Sequence, residues 1–275
     1  MRYLKETLDY ILVKGKGIRF LSVFIVLLIP SAMIAYGLPA EKFFANLIHE
    51  PNYANFGETW LSFFTSPLTI VSVAVGLLFA ATAFACVIGV IITHFRVGTF
   101  SLKYVGRSLN DYFVPAIAHS LFYIVDFIVN YTIFALLIFI WHKYANGVTY
   151  TVLGFVSGAI LLSVFVYILS SLTVWLPTMS IKGDYGLKTF TDSFYKSRSK
   201  QKYFLPTHIF ITLILLAMGA ISYFVHGPWY VSLIIDSIGY AACLTLYIVY
   251  CFVVYFNENG LPREDLVGSP YKRRR

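Results

Sequence analysis

The chain has 275 residues, of which 59% are hydrophobic and only 12% are charged, and its formal net charge is +8. A soluble globular domain is nearer half apolar and a quarter charged, so this surplus of apolar side chains excludes an ordinary water-soluble fold. The apolar runs are continuous and lack the alternation of a β-barrel, which predicts an all-α polytopic membrane bundle.

Six segments meet the requirement of about 20 mostly apolar residues for a helix that crosses about 30 Å of hydrocarbon. They are residues 19–37, 67–95, 113–141, 150–178, 205–225 and 229–256. Residues 1–256 are therefore predicted to form one six-helix transmembrane domain, and residues 257–275 a polar, basic tail. The first segment has no small-residue cleavage site, so we interpret it as a retained helix and not as a signal peptide.

Lysine and arginine fall almost entirely on one set of connections. The N-terminal arm, the loops after the second and fourth spans, and the tail together hold all of them except Lys42 and Lys143. By the positive-inside rule this distribution predicts cytoplasmic N- and C-termini. It also accounts for the positive charge without nucleic-acid binding.

The segments that precede spans one, three and five share a pattern. Residues 101–115 and 186–206 each contain a Leu-Lys pair, apolar positions spaced i, i+3 and i+7, and a Tyr-Phe-x-Pro ending, and RYLKETLDYIL is a weaker third copy. One apolar helical face opposite lysines is typical of a helix in the headgroup layer. We predict three repeated hairpins, each preceded by a cytoplasmic interfacial helix, with Pro115 and Pro206 in the first turn of the following span. Chance similarity between basic, aromatic loops is the alternative.

The connection at residues 38–66 is long and rich in aromatic residues. Residues 40–49 within it have the composition of another interfacial helix, because aromatic rings favour the headgroup boundary. Two interpretations stay open, an aromatic belt and a lid over a binding site.

Polar groups within the spans are the candidate functional residues, because an unpartnered charge in hydrocarbon costs several kcal/mol. His119, Tyr123, Asp126 and Asn130 form one helical stripe in span three, and Asp236 and Tyr240 belong to a second stripe in span six. Estimated depths place Asp126 and Asp236 in one layer. We predict an intramembrane polar cluster of Asp126, Asp236, His119, Tyr123, Asn130 and Tyr240. It is either a proton-, cation- or headgroup-binding site or a set of hydrogen bonds that fixes helix packing.

The sequence contains no zinc-binding His-Glu-x-x-His motif, serine nucleophile elbow or phosphate-binding loop. The three cysteines all lie in spans, and no histidine has metal-ligand spacing. We therefore predict no catalytic residues, no metal and no cofactor.

Basic residues at the cytoplasmic surface are candidate contacts for anionic lipid headgroups. They are Lys103, Lys188, Lys272, Arg273, Arg274 and Arg275. Topology enforcement and a protein-partner epitope are the alternatives for the tail.

From Leu176 to Pro206 the chain runs from a span through Ile181-Lys182-Gly183-Asp184 into an amphipathic helix that contains Ser193, and then into the next span. This layout resembles the membrane domain of glycerophosphodiester phosphodiesterases and the related six-helix YciC-like bacterial membrane proteins. No stretch here could form the (β/α)₈ barrel of those phosphodiesterases, so no catalytic residue is carried over. The resemblance implies a protein of the bacterial cytoplasmic membrane connected with lipids or membrane complexes.

Three classes of function follow. The first is a non-enzymatic membrane protein that binds lipid or supports a membrane complex, with membrane lipids and a second membrane protein as partners. The second is a small proton- or cation-linked secondary transporter that uses Asp126 and Asp236. The third is an intramembrane enzyme that acts on lipid, for which the expected acid, histidine or metal signature is missing.

Overall fold

The computed structural model describes residues 2–12, 18–98, 105–225 and 228–266. These residues form eleven α-helices and one short 3-10 helix, Glu264–Leu266, and no strand. The helices are α1 (Arg2–Ile11), α2 (Ile18–Gly37), α3 (Glu41–Ile48), α4 (Phe56–Leu61), α5 (Thr69–Val97), α6 (Val105–Tyr144), α7 (Val148–Ser171), α8 (Trp175–Lys182), α9 (Leu187–Ser199), α10 (Gln201–Phe224) and α11 (Trp229–Glu258).

Six of the described helices are long and apolar enough to cross a membrane, which confirms the prediction of an all-α polytopic bundle. They pack as a ring in which α2, α5, α6, α7, α10 and α11 each contact the next, and α11 closes on α2. The most buried of them are α5 and α11. Every side chain from Ile248 to Val254 is fully buried, as expected of a helix surrounded by other helices.

The first and last described segments, α1 and the 3-10 helix, meet at one end of the bundle, which we call the terminal face and which also includes α8 and α9. The Tyr3 hydroxyl donates to the Glu258 carboxylate, which also forms an ion pair with Lys200. Arg263 is 6% exposed, and the Cζ atom of its guanidinium group lies 4.4 Å from the centroid of the Phe95 ring. The helix α1 packs against α10 and α11, so its apolar face contacts protein and not only lipid.

The opposite end, which we call the loop face, is covered by α3, α4 and their flanking residues. The prediction of a helix at residues 40–49 is confirmed by α3. Phe63 is fully buried, with its ring 5.7 Å from that of Tyr131 and 5.6 Å from that of Phe134. These aromatic rings therefore fill the interior of the bundle at the loop face.

Three details differ from the sequence-based predictions. Within the described residues no separate helix precedes span three, because α6 runs unbroken for 40 residues from Val105. Pro115 and Pro206 lie inside α6 and α10 and not in a first turn. The predicted fourth span at 150–178 is two helices, α7 and α8, separated by a short turn after Ser171.

The segment before span five does form a separate helix, α9. Asp184 precedes it and accepts hydrogen bonds from Thr189 Oγ1 at 2.6 Å and from the Gly186 N–H at 3.0 Å. These bonds hold the pKa of the Asp184 carboxyl below its usual range. Phe190 and Phe194 pack on the bundle as their helical face predicts, but Leu187 is 86% exposed because it opens the first turn of α9.

Candidate functional site

Asp126 has its partner within its own helix. Asn130, one turn further along α6, donates from Nδ2 to Asp126 Oδ1 at 3.0 Å and to the Asp126 carbonyl at 2.9 Å. The second carboxylate oxygen, Oδ2, is buried without a hydrogen-bond partner among the described residues. Asp126 and Asn130 thus form a local polar pair on α6.

Asp236 is held at the loop face by the connection between α2 and α3. It is 2% exposed, and its Oδ2 accepts a hydrogen bond of 2.9 Å from the Ala40 N–H, just before α3 begins. One turn further along α11, the Tyr240 hydroxyl donates to the Leu38 carbonyl at 3.0 Å. A carboxylate at a helix start is stabilised by the exposed N–H groups there, so this arrangement anchors α3 to α11.

The predicted six-residue cluster therefore appears as separate groups with separate partners. Within the part of the chain that the structure describes, no hydrogen bond or ion pair joins Asp126 to Asp236. His119 and Tyr123 instead contact a residue of α11 outside the predicted set. His119 Nε2 lies 3.0 Å from the Tyr247 hydroxyl, which donates to the Tyr123 hydroxyl at 3.3 Å.

His208 of α10 joins this group, although it is not among the predicted site residues. Its ring centroid lies 5.9 Å from that of Tyr247 and 5.3 Å from that of Tyr250. His208 Nδ1 donates to the Phe204 carbonyl at 3.0 Å, which leaves Nε2 as a lone-pair acceptor. The sequence signal that could have identified His208 is the apolar stripe of α10 on which it lies, since Phe204 and Ile211 on the same stripe are buried.

We call the group formed by His119, Tyr123, His208, Tyr247 and Tyr250 the buried polar cluster. Two nitrogens of the cluster, His119 Nδ1 and His208 Nε2, are buried without a hydrogen-bond partner in the described structure.

The buried polar cluster does not have the arrangement of a catalytic centre. Neither imidazole is hydrogen-bonded to a carboxylate in the described residues, so the pairing that orients a catalytic histidine is missing there. Cys243 Sγ donates to the Ile211 carbonyl at 3.4 Å, and Cys251 is fully buried beside Tyr247. No group of three or more metal-binding side chains occurs among the described residues.

A second feature, which sequence reasoning missed, is an apolar groove between α7 and α10 that we call the α7–α10 groove. Its volume is about 320 Å³. From α7 it is lined by Leu162, Ser163, Val166 and Tyr167. From α10 it is lined by Leu205, Ile209, Thr212, Leu213 and Leu216.

A second apolar hollow, which we call the outer groove, lies along the same part of α10 and has a volume of about 300 Å³. Lys202 lines its end towards the terminal face, and its ammonium lies 5.1 Å from the centroid of the Tyr203 ring. Lys202 is exposed and forms no ion pair within the described chain. An amphipathic lysine beside apolar surface keeps its stem on that surface and its charge at the water boundary.

The predicted lipid contacts are only partly described. Lys188 is exposed on α9. Lys103, Lys272, Arg273, Arg274 and Arg275 lie outside the described residues. Among the other lysines of this face, Lys200 is paired with Glu258 and Lys196 donates to Asn259 Oδ1 at 2.6 Å, whereas Lys182 and Lys202 are exposed and form no ion pair within the described chain.

Comparison with protein-family models, with characterised proteins and with solved structures gives no match to this chain. The resemblance to phosphodiesterase membrane domains and YciC-like proteins therefore stays a prediction, and function has to be argued from the geometry of this chain.

Proposed function

We propose that this chain is a non-enzymatic integral membrane protein that binds an anionic phospholipid on α10, with the headgroup at Lys202. The observation that carries the proposal is an exposed lysine without an ion pair in the described chain, at the end of the apolar outer groove on a membrane-spanning helix. Acyl chains match the apolar grooves, and a phosphate matches the ammonium group.

The surroundings of Lys202 support a position in the headgroup layer. Tyr195 and Tyr203 are 67% and 49% exposed, and Arg198 and Lys188 are exposed on the same face. Exposed tyrosines beside basic side chains are typical of the boundary between hydrocarbon and water. Burial lowers the pKa of Lys196, and repulsion from the neighbouring Lys200 and Lys182 lowers it further, because three lysines lie close together on this face.

The terminal face is proposed to be cytoplasmic, in the inner membrane of a bacterium. Support comes from the excess of lysine and arginine in the segments that meet there, which is the pattern retained by cytoplasmic loops. The cytoplasmic leaflet is also the one in which anionic lipid gives the surface a negative potential.

The transporter hypothesis has less support. It depends on Asp126 and Asp236 acting at one site. Asp126 instead accepts a hydrogen bond from Asn130, and Asp236 accepts one from the main chain just before α3. Binding of a lipid does not require the two acids to act at one site.

The test measures binding of phosphatidylglycerol and phosphatidylcholine to the purified full chain by native mass spectrometry. We expect the anionic lipid to bind more tightly, and Lys202→Ala to weaken it about fivefold, as expected for the loss of about 1 kcal/mol from one basic residue. Lys143→Ala, at an exposed lysine on the loop face and outside both grooves, is the matched control. Equal binding of the two lipids, or equal losses in both variants, would refute the proposal.

A further inference from the structure

The two apolar grooves lie side by side on α10. They share Leu205, Ile209 and Leu213, which are spaced four residues apart and so form one ridge along the helix. The α7–α10 groove lies on one side of this ridge and the outer groove on the other, with similar volumes of about 320 and 300 Å³. A ligand that used both grooves would need two apolar arms that separate at the ridge.

The length of the grooves fits one leaflet of a bilayer. At 1.5 Å per residue, the ridge from Leu205 to Leu213 is about 12 Å long, and the distance to Leu216 at the end of the α7–α10 groove is about 16 Å. Half of a hydrocarbon core of about 30 Å is about 15 Å. Each groove therefore offers apolar surface over roughly the depth that one acyl chain occupies.

The polar end of the ridge is at Lys202. Lys202 lines the end of the outer groove, and Pro206, one turn later, has no N–H to donate to the Lys202 carbonyl. A cation and a carbonyl freed from its usual helical partner thus lie about one turn before Leu205, the first residue that the two grooves share. A glycerophospholipid carries its phosphate, its glycerol and the start of both acyl chains within the same short distance.

We propose that one diacyl glycerophospholipid sits astride α10, with one acyl chain in the α7–α10 groove, the other in the outer groove, and its phosphate on Lys202. This inference rests on the proposed function and specifies the ligand as a lipid with two chains. Shared annular contact, in which unrelated lipid chains cover each groove independently, is the competing arrangement.

The experiment compares phosphatidylglycerol with lysophosphatidylglycerol, which has the same headgroup and one chain, by native mass spectrometry of the full chain. We expect one diacyl lipid to bind per protein, about tenfold or more tightly than the single-chain lipid, because the second chain adds apolar contact. Two single-chain lipids should replace one diacyl lipid at high concentration.

Variants that obstruct one groove at a time test the two acyl chains of the lipid separately. Ser163→Trp fills only the α7–α10 groove, and Phe210→Trp narrows only the outer groove. Each should reduce the preference for the diacyl lipid, while Ile221→Trp, which lies outside both grooves on α10 with similar exposure to Ile209, should leave it unchanged. Both substituted side chains face outward, so folding can be verified by the elution volume of each variant.

The outcomes distinguish this inference from the proposed function. If neither lipid binds in preference to phosphatidylcholine, the proposed function fails. If the anionic lipids bind but diacyl and single-chain forms bind equally, or if only one of the two single-groove variants has an effect, the two-groove arrangement is overturned and lipid binding stands.

Discussion

Single residues show why two acids in similar sequence settings have different roles. Asp126 and Asp236 both lie on polar stripes of membrane-spanning helices, where the sequence predicts that an acid needs a partner. Their partners could not be predicted, because Asp236 bonds a main-chain N–H at Ala40, and the path of that connection is set by tertiary packing. The interaction of Asp126 with Asn130 could have been predicted, since a spacing of four residues brings side chains together on a helix.

The difference in partners predicts a difference in stability. Asp236→Ala removes the acceptor for the Ala40 N–H and should lower the free energy of unfolding by about 1–3 kcal/mol, the usual cost of an unsatisfied buried donor. Asp236→Asn keeps an oxygen at that place and should cost less. Asp126→Ala is the control, because Asn130 belongs to the same helix and anchors no other segment. Thermal unfolding in detergent measures all three, and a larger loss for Asp126→Ala would contradict the assignment.

Tyr247 is the residue that connects the buried polar cluster, since its hydroxyl reaches both His119 and Tyr123. Tyr247→Phe leaves the ring in place but removes the partner of two buried groups, so we expect a loss of about 1–3 kcal/mol in unfolding free energy. Tyr195→Phe, at a side chain that is 67% exposed, should change stability little. If the two variants melt alike, the hydroxyl of Tyr247 has no structural role and the cluster is held by ring packing alone.

At the scale of helices, the spacing of apolar residues predicted each span, but not where helices end in the segments of the terminal face. The stretch before span three and the stretch before span five have the same apolar spacing, yet the first continues into α6 and the second forms the separate helix α9. The difference follows from what each touches. Ser108 of α6 packs tightly against α5, which holds the first stretch in line with its span, whereas Phe190 and Phe194 turn α9 onto α8.

The close approach of α5 and α6 depends on Gly89. A Cβ added there would lie 1.8 Å from Ser108 Oγ and 3.2 Å from Ser108 Cα, so side chain and backbone would both have to move. Gly89→Ala should therefore destabilise the protein by about 1–3 kcal/mol, the usual cost of overpacking. Gly106→Ala is the control, because no atom lies within 4 Å of its added Cβ, and at this first-turn position of α6 the change in stability should stay below about 1 kcal/mol. A neutral Gly89→Ala would mean that the two helices can separate without cost.

At the scale of the whole molecule, burial is uneven around the ring of helices. α5 and α11 form the core, whereas α7 and α10 expose most of their surface and leave a groove between them. Composition predicted that all six would be apolar, and it could not separate core from periphery, because a helix in contact with lipid is as apolar as one in contact with protein. The groove was likewise invisible in the sequence, since it arises from the distance between two helices and not from a change in residue type.

The orientation of the bundle is the property of the whole molecule that the sequence predicts and the packing does not determine. The terminal face carries Lys188 and the loop face carries Lys143, and both side chains are exposed. By the positive-inside rule, Lys188→Cys should react with an impermeant maleimide only in inverted membrane vesicles, and Lys143→Cys only in intact cells with a permeable outer membrane. The three native cysteines lie within spans, so the unsubstituted chain gives the background. Labelling of both positions from one side would overturn the six-span topology, and labelling from the reversed sides would place Lys202 and its lipid in the outer leaflet.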